Sequence, residues 1–453
     1  MAGRGRREAG PHFRGGWLSR PGDARWGMAT PRFTLFEDSL WPRLLPLVYL
    51  RTCGELLCGT RTLRERAEAV SGEKCGLWVR PHLAELTGER FDRPVNAPLA
   101  PGSVLLTARG LWWGVPDLGP APAVGLAGGE IVAVAVDDRL AKTLTPRVLL
   151  NAALLRTALA DVPRRDVSGS VAVVGYPWDL VGHNEDALRA DWRDRGPGRA
   201  VLGEVHPGAH LLGDDIHVGA GATVKPTAVI DATSGPVWVG DGCRVMPHTF
   251  IEGPCYLGDN TLVQPGAVVH EGCAVGHTCK IGGELENSVF HPLSNKQHDG
   301  FLGHAVVGSF VNVAADVVAS DLKNTYGNIR VPLGGREVDS GRMFVGPTIG
   351  DHSKVGINVS FPTGAVVGFC SSVVGPAAPK FTPSFAWIDA TGGGGGGPAN
   401  WDRYDAARGL AIARTVMARR DLEMTPAEEA AFLDVRTRAL ALEHASQVRI
   451  ETG

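Results

Sequence analysis

A six-residue periodicity constrains this chain more than any other feature. Starting at Val239, every sixth residue is a branched aliphatic: Val239, Val245, Ile251, Leu257, Val263, Val269, Val275 and Ile281. Val218, Val224 and Ile230 keep the spacing upstream, and Ile349, Val355, Phe361, Val367 and Val373 resume it downstream. Neither a helix period of 3.6 nor a strand period of 2 selects every sixth residue, whereas a stacked solenoid does. Four residues after each aliphatic from Val239 to Val275 comes a small side chain: Cys243, Thr249, Cys255, Thr261, Ala267, Cys273 and Cys279. The pattern predicts triangular coils of about 18 residues, stacked at about 4.8 Å. The aliphatics fill the prism and the small residues sit at its turns. Such a left-handed parallel β-helix is expected over residues 201–390.

The register fails twice. It shifts by three at Asp231–Pro236, and it breaks from Gly282 to about Pro347 with partial register at Val307 and Val313. Loops that leave a rigid scaffold commonly carry function. The long break holds Ser294 to Gly303, which includes Lys296, His298 and Phe301, and then Asp321 to Arg330, which includes Lys323, Asn324, Tyr326 and Arg330. A histidine, with its ordinary pKa of ~6.5, suits proton abstraction near neutral pH. Amide, phenol and cationic groups together suit a sugar and a phosphate.

The 60 glycines, nearly double the usual share of about 7%, agree with a repeat architecture. A net charge of −3 gives no global signal for nucleic acid or an anionic membrane, and no apolar run approaches the ~18 residues of a membrane span. Eight cysteines contain no C-x-x-C pair, so reduced thiols in a cytoplasm are expected, with those in the repeat acting as core filler and no metal identified. Residues 1–31 read as a disordered basic extension, with Met28 an alternative start. Residues 32–200 read as an α/β domain, with strands at Phe33–Phe36, Val104–Leu106, Ile131–Val136 and Val171–Gly175 and a helix at Leu63–Ala69. Residues 391–453 read as a glycine linker, Gly392–Gly397, and two helices, the second opened by a capping box at Thr425-Pro426-Ala427-Glu428.

The segments KIGGELENSVFHPLSNKQHDGFLG, ASDLKNTYGNIRV and IGDHSKVGINVSFPTGAVVG resemble the carboxy-terminal domain of the bifunctional N-acetylglucosamine-1-phosphate uridyltransferase / glucosamine-1-phosphate acetyltransferase family. A branch with a degenerate nucleotidyltransferase-like α/β domain and a short helical tail is more similar still. The resemblance implies acetyl transfer from acetyl-CoA to an amino-sugar phosphate in a cytoplasmic homotrimer. It places His298 as the catalytic base, Phe301 where the family has Tyr, Asn324 at the family's loop Asn and Arg330 near the sugar phosphate. It also puts the CoA along Ile357–Val367.

The amino-terminal resemblance implies nucleotidyl transfer to a sugar-1-phosphate with an NTP and Mg²⁺. The Gly-rich phosphate loop of active members is missing from Phe36-Glu37-Asp38-Ser39, and Thr107-Ala108-Arg109-Gly110 lacks their metal-binding Asp. Arg43 and Arg51 are the cations available for a nucleotide phosphate; Arg51 and Glu55 equally make a structural ion pair. The competing reading is a non-catalytic or regulatory trimer that binds a nucleotide sugar.

Overall fold

The computed structural model describes residues 31–196, 198–389 and 400–443. The basic extension and the Gly392–Gly397 linker expected from the sequence lie outside them. An α/β domain, a parallel β-solenoid and a helical tail follow one another as the sequence predicts.

The α/β domain is built on a six-stranded sheet. Its strands are β1 (Phe33–Phe36), β2 (Gly76–Trp78), β3 (Val104–Thr107), β4 (Ala123–Ala127), β5 (Glu130–Ala135) and β6 (Arg164–Asp166), in the order β2-β1-β3-β5-β4-β6. β1 runs parallel to β2 and β3; β5 is antiparallel to β3 and β4. Helix α1 (Leu63–Ser71) starts where the Thr62 hydroxyl accepts the Glu65 amide and the Glu65 carboxylate accepts the Thr62 amide. It stops at Gly72, whose φ of +74° is left-handed. Helices α2 (Pro177–Gly182) and α3 (Asn184–Arg195) lead into the solenoid.

The solenoid has three faces. One carries ten strands, from Ala200–Val201 to Phe381–Thr382; the second begins at Glu204–Val205 and the third at His210–Leu212. Val239, Leu257 and Val275 stack in one column, Val245, Val263 and Ile281 in the next, and Ile251 and Val269 in the third. All are fully buried. Cys255 lies directly over Cys273, and Cys243 and Cys279 are buried as well, so the thiols are filler in the prism.

The long break is shorter than the sequence suggests. After Ile281 the coils continue, with contracted lengths. Val275 pairs with Phe290 and Ile281 with Lys296, 15 residues on; Leu285, Phe290 and Lys296 have partners 17 residues on, at Leu302, Val307 and Val313. The chain leaves the prism only after Ala319, and it returns at Thr348–Ile349. Between them a hairpin, β7 (Arg330–Leu333) with β8 (Arg336–Asp339), packs Ile329, Val331 and Leu333 against Trp178 and Val366.

The first face does not meet water along its middle. Its outward residues Ala274, Val289 and Val306 share one core with the α/β domain, and Phe369 and Phe385 join that core to the tail helices α4 (Ala406–Ala418) and α5 (Pro426–Glu443). The Thr425 hydroxyl accepts the Glu428 amide, which is half of the expected capping box. The Glu428 carboxylate instead pairs with Arg90 of the α/β domain at 3.0 Å. Buried Glu443, at the end of α5, accepts the Tyr49 hydroxyl at 2.7 Å and the Ser384 hydroxyl at 2.7 Å. The three parts are thereby fastened to one another.

Candidate functional site

In the α/β domain a ligand crevice is expected outside the carboxyl ends of the parallel strands. Here those ends are filled with ion pairs. Glu37, after β1, meets Arg80, after β2, at 3.0 Å; Asp38 meets Arg109, after β3, at 2.7 Å. Arg109 also holds Glu130 at 2.7 Å, and Glu130 holds Arg43 at 3.0 Å. Arg80 donates to the Arg51 carbonyl at 2.7 Å, and the buried Arg51 side chain reaches across to Asp351 of the solenoid at 2.6 Å. The expectation that Arg51 meets a nucleotide phosphate is therefore corrected, because its charge is already matched inside the domain junction. Its alternative pairing with Glu55 is corrected too: Glu55 pairs with Arg90. Arg43 keeps partial exposure and lines a hollow of about 300 Å³ with Tyr176 and Glu130. A Mg²⁺ ion does not fit this place, since Glu37 and Asp38 already neutralise buried guanidiniums.

On the solenoid, Lys296 is the second correction. It replaces an aliphatic in the column Ile281–Lys296–Val313 and is fully buried. Its ammonium donates to the carbonyls of Gly282 at 3.1 Å, Asp299 at 3.2 Å and His298. It cannot touch a substrate on the outer surface. Burial pushes its pKa down to about 8, with Asp299 and Asp316 acting the other way. His298 stands exposed at one corner of the third face, with Gln297 as the neighbour of its ring at 3.1 Å. Phe301 begins the strand Phe301–Gly303 on that face. Lys323, Asn324, Tyr326 and Arg330 lie on the outer edge of the excursion, where Tyr326 is 66% exposed and Lys323 donates to the Asn328 carbonyl.

The opposite corner of the same face carries a histidine that the sequence reading did not single out. His304 lies six residues after His298, with a left-handed φ of +48°. Its Nδ1 is 2.7 Å from the Asp321 carboxylate, and its ring stacks on Phe344 with centroids 5.0 Å apart. Both side chains of the pair are largely buried, at 17% and 12% exposure. A carboxylate only accepts, so Nδ1 carries the proton and Nε2 is left as the basic atom. Gly303 makes the arrangement possible: a Cβ there would lie 2.5 Å from the Asp321 carboxylate and 2.5 Å from the Phe301 ring.

His304 lines a cleft of about 530 Å³ assembled from three parts of the chain. Trp178 and Gly182 of α2 and Glu185 and Asp186 of α3 form one wall, Asn287 and His304 come from the solenoid corner, and Arg342, Met343 and Phe344 come from the returning excursion. Arg342 packs on Gly182 and reaches Asp179 at 3.3 Å. Another histidine, His270, lies between Glu252 at 3.7 Å and Glu284 at 3.3 Å on the third face, but its 32% exposed side chain is less desolvated than His304.

Residues 33–196 match the family described as sugar nucleotidyl transferase, and residues 236–271 match the bacterial transferase hexapeptide (six repeats). The chain joins a nucleotidyltransferase-like α/β domain to a parallel β-solenoid of hexapeptide repeats. Among curated relatives, the bifunctional sugar-1-phosphate nucleotidylyltransferase/acetyltransferase of Sulfurisphaera tokodaii is 32% identical over 91 residues, which are 20% of this chain and 23% of the relative. The bifunctional protein GlmU of Synechococcus sp. is 24% identical over 200 residues, 40% of this chain and 41% of the relative. That of Heliobacterium modesticaldum is 27% identical over 204 residues, 40% and 43% respectively. The match thus spans less than half the length of each of these relatives. Both family descriptions are of transferases. Among the described residues no helix is long and apolar enough to cross a membrane.

Proposed function

We propose that the solenoid transfers an acyl group from acetyl-CoA, or a related acyl-CoA, to the amine of an amino-sugar phosphate. The observation that carries this reading is the His304–Asp321 pair on the wall of a cleft with aromatic and charged sides. The transferase hexapeptide match and the names of the curated relatives support the reaction class. In this reading His304 Nε2 takes a proton from the sugar amine, and Asp321 stabilises the imidazolium that results. The amine lone pair attacks the thioester carbonyl, the N–C bond forms and the C–S bond breaks. A proton on nitrogen is then passed to the departing thiolate, which leaves as free CoA.

His298, the base that the resemblance implies, has no carboxylate paired with its ring among the described residues. The exposed Ile357 remains the proposed CoA contact. A homotrimer is part of this proposal through the resemblance; on the third face Phe250 and Val268 point outward side by side, and Glu284 separates them from Phe301. The site described is the same under a cytoplasmic location. Nucleotidyl transfer is not part of the reading, because the strand-end crevice is filled by ion pairs.

The test is release of free thiol from acetyl-CoA in the presence of glucosamine-1-phosphate. His304→Ala is expected to lower kcat by about 10²–10⁴-fold, and His298→Ala by less than tenfold. The reverse order returns the base to His298. Product from UTP, a sugar-1-phosphate and Mg²⁺ would show that the filled crevice opens after all.

A further inference from the structure

The cleft wall contributed by the sugar nucleotidyl transferase domain differs from the buried ion pairs that hold this domain together and fasten it to its neighbours. In those pairs carboxylates are consumed by partners: Glu37 by Arg80, Asp38 by Arg109 and Asp191 by Arg66 within the domain, Glu428 of the tail by Arg90, and Asp351 of the solenoid by Arg51. The two carboxylates of the cleft differ. Asp186 is exposed and has no hydrogen bond or ion pair among the described residues. Glu185 is half-buried, and its cationic neighbour Arg189 stands off at 3.9 Å. Burial raises the Glu185 carboxyl pKa; Arg189 lowers it, and the negative charges of Glu271 and Asp186 raise it further. A cation placed here relieves that repulsion. Nearby, Arg342 spends one contact on Asp179 at 3.3 Å and keeps a 38% exposed side chain on the cleft. Trp178, Phe344 and the Asp321-paired His304 line the same cleft. Aromatic rings, two carboxylates and one guanidinium around one cleft are a set that fits a sugar bearing both an ammonium and an anionic group.

We infer that the sugar nucleotidyl transferase domain serves as the acceptor-recognition wall of the acyl-transfer site, with Glu185 and Asp186 selecting the charged amine of the acceptor and Arg342 its phosphate. This rests on the reading of the cleft as the acyl-transfer site. The domain is welded to the solenoid by a shared core and by the Arg51–Asp351 pair, so α3 is held at a fixed place over the solenoid corner. A primary sugar amine arrives protonated near neutral pH. The carboxylates stabilise that cation on entry, and His304 then removes the proton that blocks nucleophilic attack. Glu185 and Asp186 are specificity residues in this scheme, and the proton transfer belongs to His304.

Two measurements on the full chain separate this inference from the reading beneath it. Calorimetry compares glucosamine-1-phosphate with N-acetylglucosamine-1-phosphate, which has the same phosphate and no charge on nitrogen. The wild-type chain is expected to bind the amine at least tenfold more tightly. Glu185→Gln combined with Asp186→Asn is expected to abolish that preference while leaving the affinity for the N-acetyl sugar within threefold. In the thiol-release assay the same double variant is expected to raise KM for the amine tenfold or more, with kcat within threefold and KM for acetyl-CoA unchanged. Asp186→Asn alone, at an exposed position, repeats the comparison with one charge removed and Glu185 kept. Equal binding of the two sugars by the wild-type chain, or an unaltered preference in the variants, overturns the inference. A clear charge preference without thiol release upholds the recognition wall and sinks the acyl-transfer reading alone.

Discussion

The junction between the two domains makes a quantitative claim that Arg51→Met tests. Arg51 and Asp351 are each 3% exposed and meet at 2.6 Å. Among the described residues the Asp351 carboxylate has one other near donor, the Ser309 amide at 2.7 Å. Methionine fills most of the volume of the arginine stem but leaves the carboxylate buried with that single hydrogen bond. Removing one partner of a buried pair costs about 3–5 kcal/mol, against the 0–1 kcal/mol of a surface pair. The loss should therefore stand well clear of experimental error in urea denaturation followed by tryptophan fluorescence at pH 7.

A second substitution, Asp351→Asn, removes the stranded charge, and the double variant should recover a large part of the loss. A cost below about 1 kcal/mol for Arg51→Met, or a double variant as unstable as the sum of the singles, would refute the claim that this pair locks the domains.

Three further outcomes follow from the same contacts. Gly303→Ala should lower acyl-transfer kcat by at least tenfold with little change in the far-ultraviolet circular dichroism, because the added methyl meets the Asp321 carboxylate and the Phe301 ring at 2.5 Å; unchanged turnover would remove the pair from the mechanism. Glu443→Ala should destabilise the chain by about 2–4 kcal/mol in urea, since it strips the buried Tyr49 and Ser384 hydroxyls of their acceptor. Lys296→Met should flatten the alkaline stability profile: with its pKa pushed down to about 8, folded Lys296 loses its proton before the unfolded chain does, so its burial penalty is relieved as pH rises from about 8 towards the ordinary lysine value, and that rise should be missing from the variant.

The six-residue aliphatic step made the solenoid legible, because each inward position must fill the same small prism. Counting by six also misjudged its middle. The coil after Ile281 closes in 15 residues, and the inward position there is Lys296, a charged residue that satisfies its ammonium on three backbone carbonyls. A buried lysine inside a prism is invisible to hydropathy and reads as a loop cation. The α/β domain showed its strands and its missing glycines. Its ion-pair chain was not readable, because Asp38 and Arg109 are joined by the parallel pairing of β1 and β3 and not by any local spacing.

The His304–Asp321 pair was hidden by the same contraction, and the contraction explains how it could be found. Leu285 pairs with Leu302, 17 residues on, so residues 17 apart in this stretch stack along one edge of the prism. Asn287, His304 and Asp321 are such a series, and the structure places all three at one corner, two of them on the wall of the cleft. In an 18-residue coil, Asp321 would be one position out of step with His304. The shortened coils therefore do more than interrupt the repeat. They bring a histidine at a turn under Asp321, near the start of the excursion, at the point where α2 and α3 cover the neighbouring face. Restoring one residue between Phe310 and Asp321 should keep the ladder above and below while moving the carboxylate off Nδ1. Such an insertion should fold, with near-native circular dichroism, and lose acyl transfer to the level of His304→Ala. An insertion that folds and retains wild-type turnover would show that the register of this corner has no part in the chemistry.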